Sequence, residues 1–299
     1  MEEGRSGRWC WVASGARAFY RACRAGVSPF MECDFMRFRR ALIGLIACCA
    51  APNAVLAQQA RTVELSYEIT FLGLTGFRID FSGRFAGNGY DVQSHTFKQG
   101  LIKAVTVHYE GRNRATGIVA PSGGIPTGGS LSIVVGDKPR TWLAQYGAGG
   151  MVQDKHTPEW KPTPQQVISA DQRLHSLDPL SAAMSVGLAG DAACDRTVPS
   201  NDGKRRIDVI LKKVGSEPLA NSGITQARSD LLICEIYTKR IAGEFDDAPK
   251  EAETERERPM KIWLARLDDT PFRYPVKLEA STTFGTIRGR LLSFSEQQK

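Results

Sequence analysis

The sequence predicts a mainly β protein: an antiparallel curved sheet or incomplete β-barrel of about ten strands, with one central helix, near residues 178–190, packed on it. Two observations carry this. Short segments alternate apolar and polar residues with a period of two, and their connections are too short for helical crossovers. One segment alone, opening at Asp178-Pro179, combines helical spacing with a start signal.

The first strand is the plainest. In residues 62–71, Val63, Leu65, Tyr67, Ile69 and Phe71 alternate with Thr62, Glu64, Ser66, Glu68 and Thr70, so one face is buried and the other wet. Gly73 and Gly76 bracket a turn, and residues 77–85 repeat the pattern with Phe77, Ile79, Phe81 and Phe85 on one face. Ala86-Gly87-Asn88-Gly89 reads as a hairpin turn, because Asn and Gly accept positive φ. Strands are expected over 90–97 and 101–110. Residues 120–130, APSGGIPTGGS, read as a Gly/Pro-rich loop, followed by a hairpin from 131–135 and 140–146 turning at Gly136-Asp137. Residues 155–165 look irregular, and Thr163-Pro164 opens a short helix through about Arg173. At Asp178-Pro179 an N-cap Asp precedes a Pro at the first helical position. Leu180, Ala183, Met184 and Gly187 keep helical spacing, and Gly190 is the stop. Strands resume at 207–211, 231–240, 261–267, 274–282 and 286–294. Residues 246–258 are charged, poor in apolar side chains and read as a solvated loop.

The amino-terminal portion reads as an address. Arg37, Arg39 and Arg40 precede an apolar run from Ala41 to Ala51, and Val55-Leu56-Ala57 places small residues where a signal peptidase reads. The expected organisation is a leader over 1–35, either a gene-model extension or disordered, a signal peptide over 36–57 cleaved between Ala57 and Gln58, and one β-rich domain over 58–299. The apolar run is far short of the ~20 residues that span a bilayer, so no transmembrane span is expected in the mature chain. The expected compartment is the periplasm. A second route stays open, because Leu45-Ile46-Ala47-Cys48 fits a lipobox in which Cys48 becomes a lipidated amino terminus.

Cleavage after Ala57 removes five of the seven cysteines and leaves Cys194 and Cys234, an even number in an oxidising compartment, for which a disulfide is the inference. A metal or redox pair is the alternative, but the chain has no CxxC motif. The charge is equally uneven. Of the formal +7, residues 1–57 hold eight Lys/Arg against four Asp/Glu, and the remainder holds 31 against 28. The mature domain lacks the basic tract that nucleic-acid binding needs.

Several segments together resemble the bacterial domain-of-unknown-function family 3108. They are YEITFLGLTGFRIDFSGRF (67–85), LDPLSA (177–182) with Asp178-Pro179, CDRTVPSNDGKRRIDV (194–209) with Asp202-Gly203, and IWLARLDDTPFRYPVKLEASTTFGTIRGRL (262–291). The resemblance implies an exported β-rich domain and no particular chemistry.

The residues themselves offer little catalysis. The chain has no nucleophile elbow, phosphate loop, H-E-x-x-H or dinucleotide fingerprint, and no cofactor or metal is expected. His108 and Glu110 share a strand face, His156 and Glu159 lie in a Pro-rich stretch, and His95 and His175 stand alone. Ser181 beside Asp178 invites a nucleophile reading, but capping accounts for Asp178. Lys204, Arg205 and Arg206 form a small basic cluster that would meet either an anionic head group or solvent. Tyr67, Phe71, Phe77, Phe81 and Phe85 would line a lipid cavity or fill an ordinary core. The leading expectation is a non-enzymatic envelope protein that binds a lipid-like or lipoprotein ligand. The alternatives are a structural protein that docks an envelope partner and a periplasmic hydrolase, for which His108, Glu110 and His175 are the first candidates.

Overall fold

A computed structural model describes residues 60–100, 103, 107–221, 224–244 and 259–298. The expected cleavage site at Ala57 and Gln58, the lipobox Cys48 and the charged stretch 246–258 lie outside these residues. One sheet of thirteen strands dominates: β1 Arg61–Phe71, β2 Leu74–Ala86, β3 Gly89–Lys98, β4 Tyr109–Ala120, β5 Gly123–Val135, β6 Lys138–Gly147, β7 Gly150–Thr157, β8 Arg196–Asn201, β9 Arg205–Glu217, β10 Leu231–Gly243, β11 Met260–Ala265, β12 Tyr274–Thr282 and β13 Gly285–Gln298. All neighbours pair antiparallel, and β13 pairs with β1. The spatial order is therefore two meanders joined at that pair, with β7 and β8 as the edges. The ladder does not close, so the incomplete barrel the sequence predicts is what forms.

The gap between the edges is spanned by Leu174–Leu177. Leu174 bridges Gly150 of β7, and Leu177 bridges Ser200 of β8. His175 N donates to Gly149 O at 3.1 Å, Leu177 N to Pro199 O at 2.9 Å and Asn201 N to Leu177 O at 2.8 Å. This short strap supplies the edges with partners that direct β7–β8 pairing would provide in a closed barrel.

The helix predicted near 178–190 is α2, Pro179–Leu188; a single turn, α1, covers Ala170–Arg173. Asp178 caps α2 by accepting from Leu180 N at 3.0 Å and Ser181 N at 2.9 Å. The helix ends at Ala189, and Gly190, at φ 59°, turns the chain away.

Four sequence expectations need correction. Residues 163–173 form a 3₁₀ turn at 164–166 and the single turn α1 rather than one helix. The strand expected over 101–110 instead begins at Tyr109 and runs to Ala120. The expected loop 120–130 is mostly β5: its glycines lie under α2, where Gly123 meets Ser185, Gly124 meets the Tyr90 ring and Gly129 meets Asp178. A Cβ at Gly129 would stand 3.0 Å from the Asp178 Cβ, so close approach, not a loop, selects these glycines. Finally, β7 and β8 have no counterpart in the alternation. Both are edges, and edge strands tolerate the Asp154-Lys155-His156 run and Pro199 that mask their pattern.

Candidate functional site

The helix is placed inside the curved sheet, and three of its faces have different tasks. Ser181 and Ser185 turn towards β3–β5, where the Tyr90 and Ser181 hydroxyls share a 2.9 Å hydrogen bond and Gly124 N donates to Ser185 Oγ at 3.0 Å. Ala182 and Val186 enter a core with Val198, Leu211, Leu232, Ile262 and Leu264. The Cys194–Cys234 disulfide lies in that core, with 5.7 Å between Cα atoms, and ties the connection after α2 to β10. The third face carries Pro179, Leu180, Ala183, Met184, Gly187 and Leu188, which line open space between the helix and the sheet.

What remains is a cavity of about 450 Å³, inside the range of ~300–1,000 Å³ usual for small-molecule sites. Its sheet wall is Leu65, Tyr67 and Ile69 of β1, Ile79, Phe81 and Phe85 of β2, and Ile262, Tyr274, Leu278 and Gly289 of β11–β13, with Phe272 before β12. The polar lining is sparse: Ser94 and Thr96 on β3, Asn113 on β4, and Arg273 and Lys277 across from them. Asn113 Nδ2 donates to Ser94 Oγ at 3.1 Å. Arg273 is committed to Asp191, with Nη2 2.7 Å from Oδ1, and its backbone N–H donates to Gly187 O at 3.0 Å, which fixes the C-terminal turn of α2. Lys277 places its ammonium 4.1 Å from the centre of the Trp263 ring and 3.5 Å from Glu279.

Behind the wall residues Phe85, Phe272 and Tyr274 lies a buried polar cluster. The Arg61 guanidinium is sandwiched between the Phe85 and Phe272 rings, at 4.8 and 4.7 Å, and pairs with Asp268 at 2.9 Å. Tyr274 Oη donates to Asp268 Oδ2 at 2.7 Å. Burial works against ionising Asp268, but hydrogen bonds from Thr270 and Tyr274 and the Arg61 charge hold its carboxyl below the usual range. Asp178 is the opposite case. It is only 2% exposed, Oδ1 takes both capping bonds, and Oδ2 has no partner among the described residues. Burial therefore raises its pKa despite those bonds, and burial likewise pushes the Tyr90 hydroxyl up to about 12.

Of the five aromatics chosen from the sequence, Tyr67, Phe81 and Phe85 stand in the cavity wall, as does Pro179. Phe77 packs edge-on against Tyr109, with 5.6 Å between centroids, and Phe71 lies beside Gly285; both sit beyond the lining, further along the same strands. Asp202-Gly203 forms the β8–β9 turn. Asp202 Oδ1 accepts from Lys204 N and Arg205 N at 3.0 and 2.7 Å, and Gly203 lies against Trp142 and His156, where no Cβ fits. The basic cluster beside it is spent locally: Lys204 pairs with Glu244, Arg205 with Asp202 and Arg206 with Asp208.

His95, His108 and Glu110 do come together, on the outer face. His95 Nε2 is 2.8 Å from Glu110 Oε1, which also takes Arg112 at 2.7 Å, and His108 is 3.8 Å from Oε2. Hydrogen bonds from Arg112 and His95 hold the Glu110 carboxyl below its ordinary range. His156 packs on Trp160 beside Asp154, and His175 lies in the strap. Among the described residues no group of three His, Cys, Asp or Glu side chains is placed to hold a metal ion. Sequence reasoning did not single out the aliphatic lining, nor Phe272, Arg273, Tyr274 and Lys277. Leu65 and Ile69 shared a face with Tyr67, and Leu180 and Met184 shared helical spacing, so part of that signal was present.

A family model described as "Protein of unknown function (DUF3108)" matches residues 66–291. The chain belongs to this family. The match takes in α2 and all of the cavity wall of this DUF3108 member except Leu65. Comparison with curated proteins returns no significant match. Among solved structures the DUF3108 chain is similar to a β-barrel-like protein of the domain-of-unknown-function family DUF1849 from Brucella abortus. The two are 11% identical, with a TM-score of 0.43 over 79% of this chain and 97% of that one. No described helix of the DUF3108 chain is long and apolar enough to cross a membrane.

Proposed function

We propose that this chain is an exported, periplasmic envelope protein whose 58–299 domain, released by cleavage between Ala57 and Gln58, binds a lipid-like ligand such as an acyl chain or lipoprotein anchor. The observation that carries this reading is the cavity that α2 leaves unfilled. Burying the Met184–Leu180 face against Ile79, Phe81 and Tyr67 would close it, at a gain of about 0.8 kcal/mol for each buried methylene, yet α2 is pinned where it stands by the Arg273 N–H bond to Gly187 O and by its contacts with β5. An apolar chain offered to this space gains the same term. Ser94, Thr96, Asn113 and Lys277 give a polar or anionic head something to meet at the wall.

The test is titration of the purified protein with a fluorescent fatty acid. Saturable, one-to-one binding is expected, and Met184→Trp, which fills the cavity, should weaken it at least tenfold at unchanged thermal stability. An absence of saturable binding, or equal binding by Met184→Trp, would overturn the reading and leave a structural envelope role.

A further inference from the structure

The apolar side chains left in solvent are not scattered evenly. Of the twelve large hydrophobic residues exposed among the described positions, five fall on one end of the sheet: Phe284, Val107, Leu72, Leu74 and Val135. Phe284, in the β12–β13 turn, is 80% exposed, Val107, ahead of β4, 67%, and Leu72, in the β1–β2 turn, 63%. These turns adjoin. Gly285 lies against the Leu72 side chain, Gly100 lies against Thr75 O, and Gly136 N donates to His108 O at 2.8 Å. The five therefore follow one another around this end as a crescent of separate turn tips.

The crescent borders the cavity mouth. The strand register runs the wall from Leu65 and Phe85, at the helix end, to Ile69, Ile79 and Leu278, which are only half-buried, and just beyond them β1 ends at Phe71, β2 starts at Leu74 and β12 ends at Thr282. Leu72 is held out by a left-handed backbone, φ 51°, next to Gly73 at φ 80°. That conformation costs a non-glycine residue about 1–2 kcal/mol, and it places a leucine in water where Asn or Gly would be easier.

We infer that this rim is a membrane-docking surface, which inserts its turn tips into a lipid bilayer so that the cavity opens directly onto the lipid phase. The inference rests on the ligand-binding reading, because an apolar ligand of low aqueous solubility exchanges most readily where the mouth meets lipid. Two features favour a bilayer over a flat protein partner. The apolar side chains stand singly on separate tips instead of forming a level patch, and the β3–β4 and β5–β6 connections at this end carry Lys103 and Lys138 against Asp137, which suits anionic head groups.

The test uses co-sedimentation of the purified protein with vesicles of phosphatidylethanolamine and phosphatidylglycerol, alongside fatty-acid binding in vesicle-free solution. Wild-type protein should bind the vesicles, and Leu72→Asp/Phe284→Asp should bind at least tenfold less while its fatty-acid affinity and melting temperature stay unchanged. Wild type that does not sediment, or a double variant that sediments equally, overturns the inference. Self-association that the double variant loses, without vesicle binding, overturns it too and gives the rim to a second copy. Met184→Trp separates the two claims: it should lose fatty acid but still dock.

Discussion

At Asp178 one carboxylate meets two demands. Oδ1 closes the first turn of α2 through two backbone N–H groups, while Oδ2 is buried without a partner among the described residues. Removing the cap with Asp178→Ala is expected to cost about 1 kcal/mol in a denaturant titration. Asp178→Asn keeps a capping side chain and drops the charge. Because burial raises the folded-state pKa of Asp178, the folded state binds its proton more tightly than the unfolded chain does. Its contribution is full below the ordinary carboxyl range and is lost as pH rises through the raised value. Near neutral pH Asp178→Asn should therefore match or exceed the wild type, and the difference should shrink on acidification. Asp268 runs the other way: its lowered carboxyl stabilises above the ordinary range and loses that contribution as pH falls, so Asp268→Asn should be most damaging near neutral pH. At this scale the sequence was informative about direction and silent about depth. Alternation put Tyr67, Phe71, Phe77, Phe81 and Phe85 on an inner face, but a period of two says nothing about where along a strand a cavity stops, and Phe71 and Phe77 lie past its end.

Elements are held by close approaches that few positions tolerate. Gly129 admits Asp178 and Gly187 admits Arg273 O, so α2 sits nearer to the sheet at its two ends than its side chains would otherwise permit. Gly129→Val is expected to cost about 1–3 kcal/mol by overpacking, measured by thermal melting, and to shift α2 enough to change fatty-acid affinity. The second anchor is Cys194–Cys234, which closes a separation of 40 residues; the Cys194→Ala/Cys234→Ala protein should lose roughly 4 kcal/mol relative to the oxidised wild type. Both the helix start and the cysteine pairing were legible, because Asp-Pro capping and cysteine arithmetic are local or nearly so. The glycines of 120–130 were misread because composition cannot distinguish a glycine that bends a loop from one that makes room for a helix packed above it.

Over the whole β domain, the two edges of the sheet are bridged by contacts no local pattern encodes. Leu174–Leu177 joins strands far apart in sequence, and Asp202-Gly203 locks the β8–β9 turn against Trp142 and His156. Strand alternation was sufficient to forecast a curved antiparallel sheet around one helix, whereas the two edge strands and the strap that spans them carry the polar residues and proline that edges require. The result is an incomplete barrel that is apolar within, plugged at one end by α2 and fringed at the other by apolar turn tips. That arrangement leads to the central claim, that the cavity is occupied by an apolar ligand in the cell. It is tested most directly by native mass spectrometry of the protein purified from cells without detergent. The account predicts a reproducible added mass that organic extraction identifies as a lipid and that Met184→Trp lacks. An unliganded mass in every preparation, from cells and after incubation with extracted envelope lipids, would contradict it.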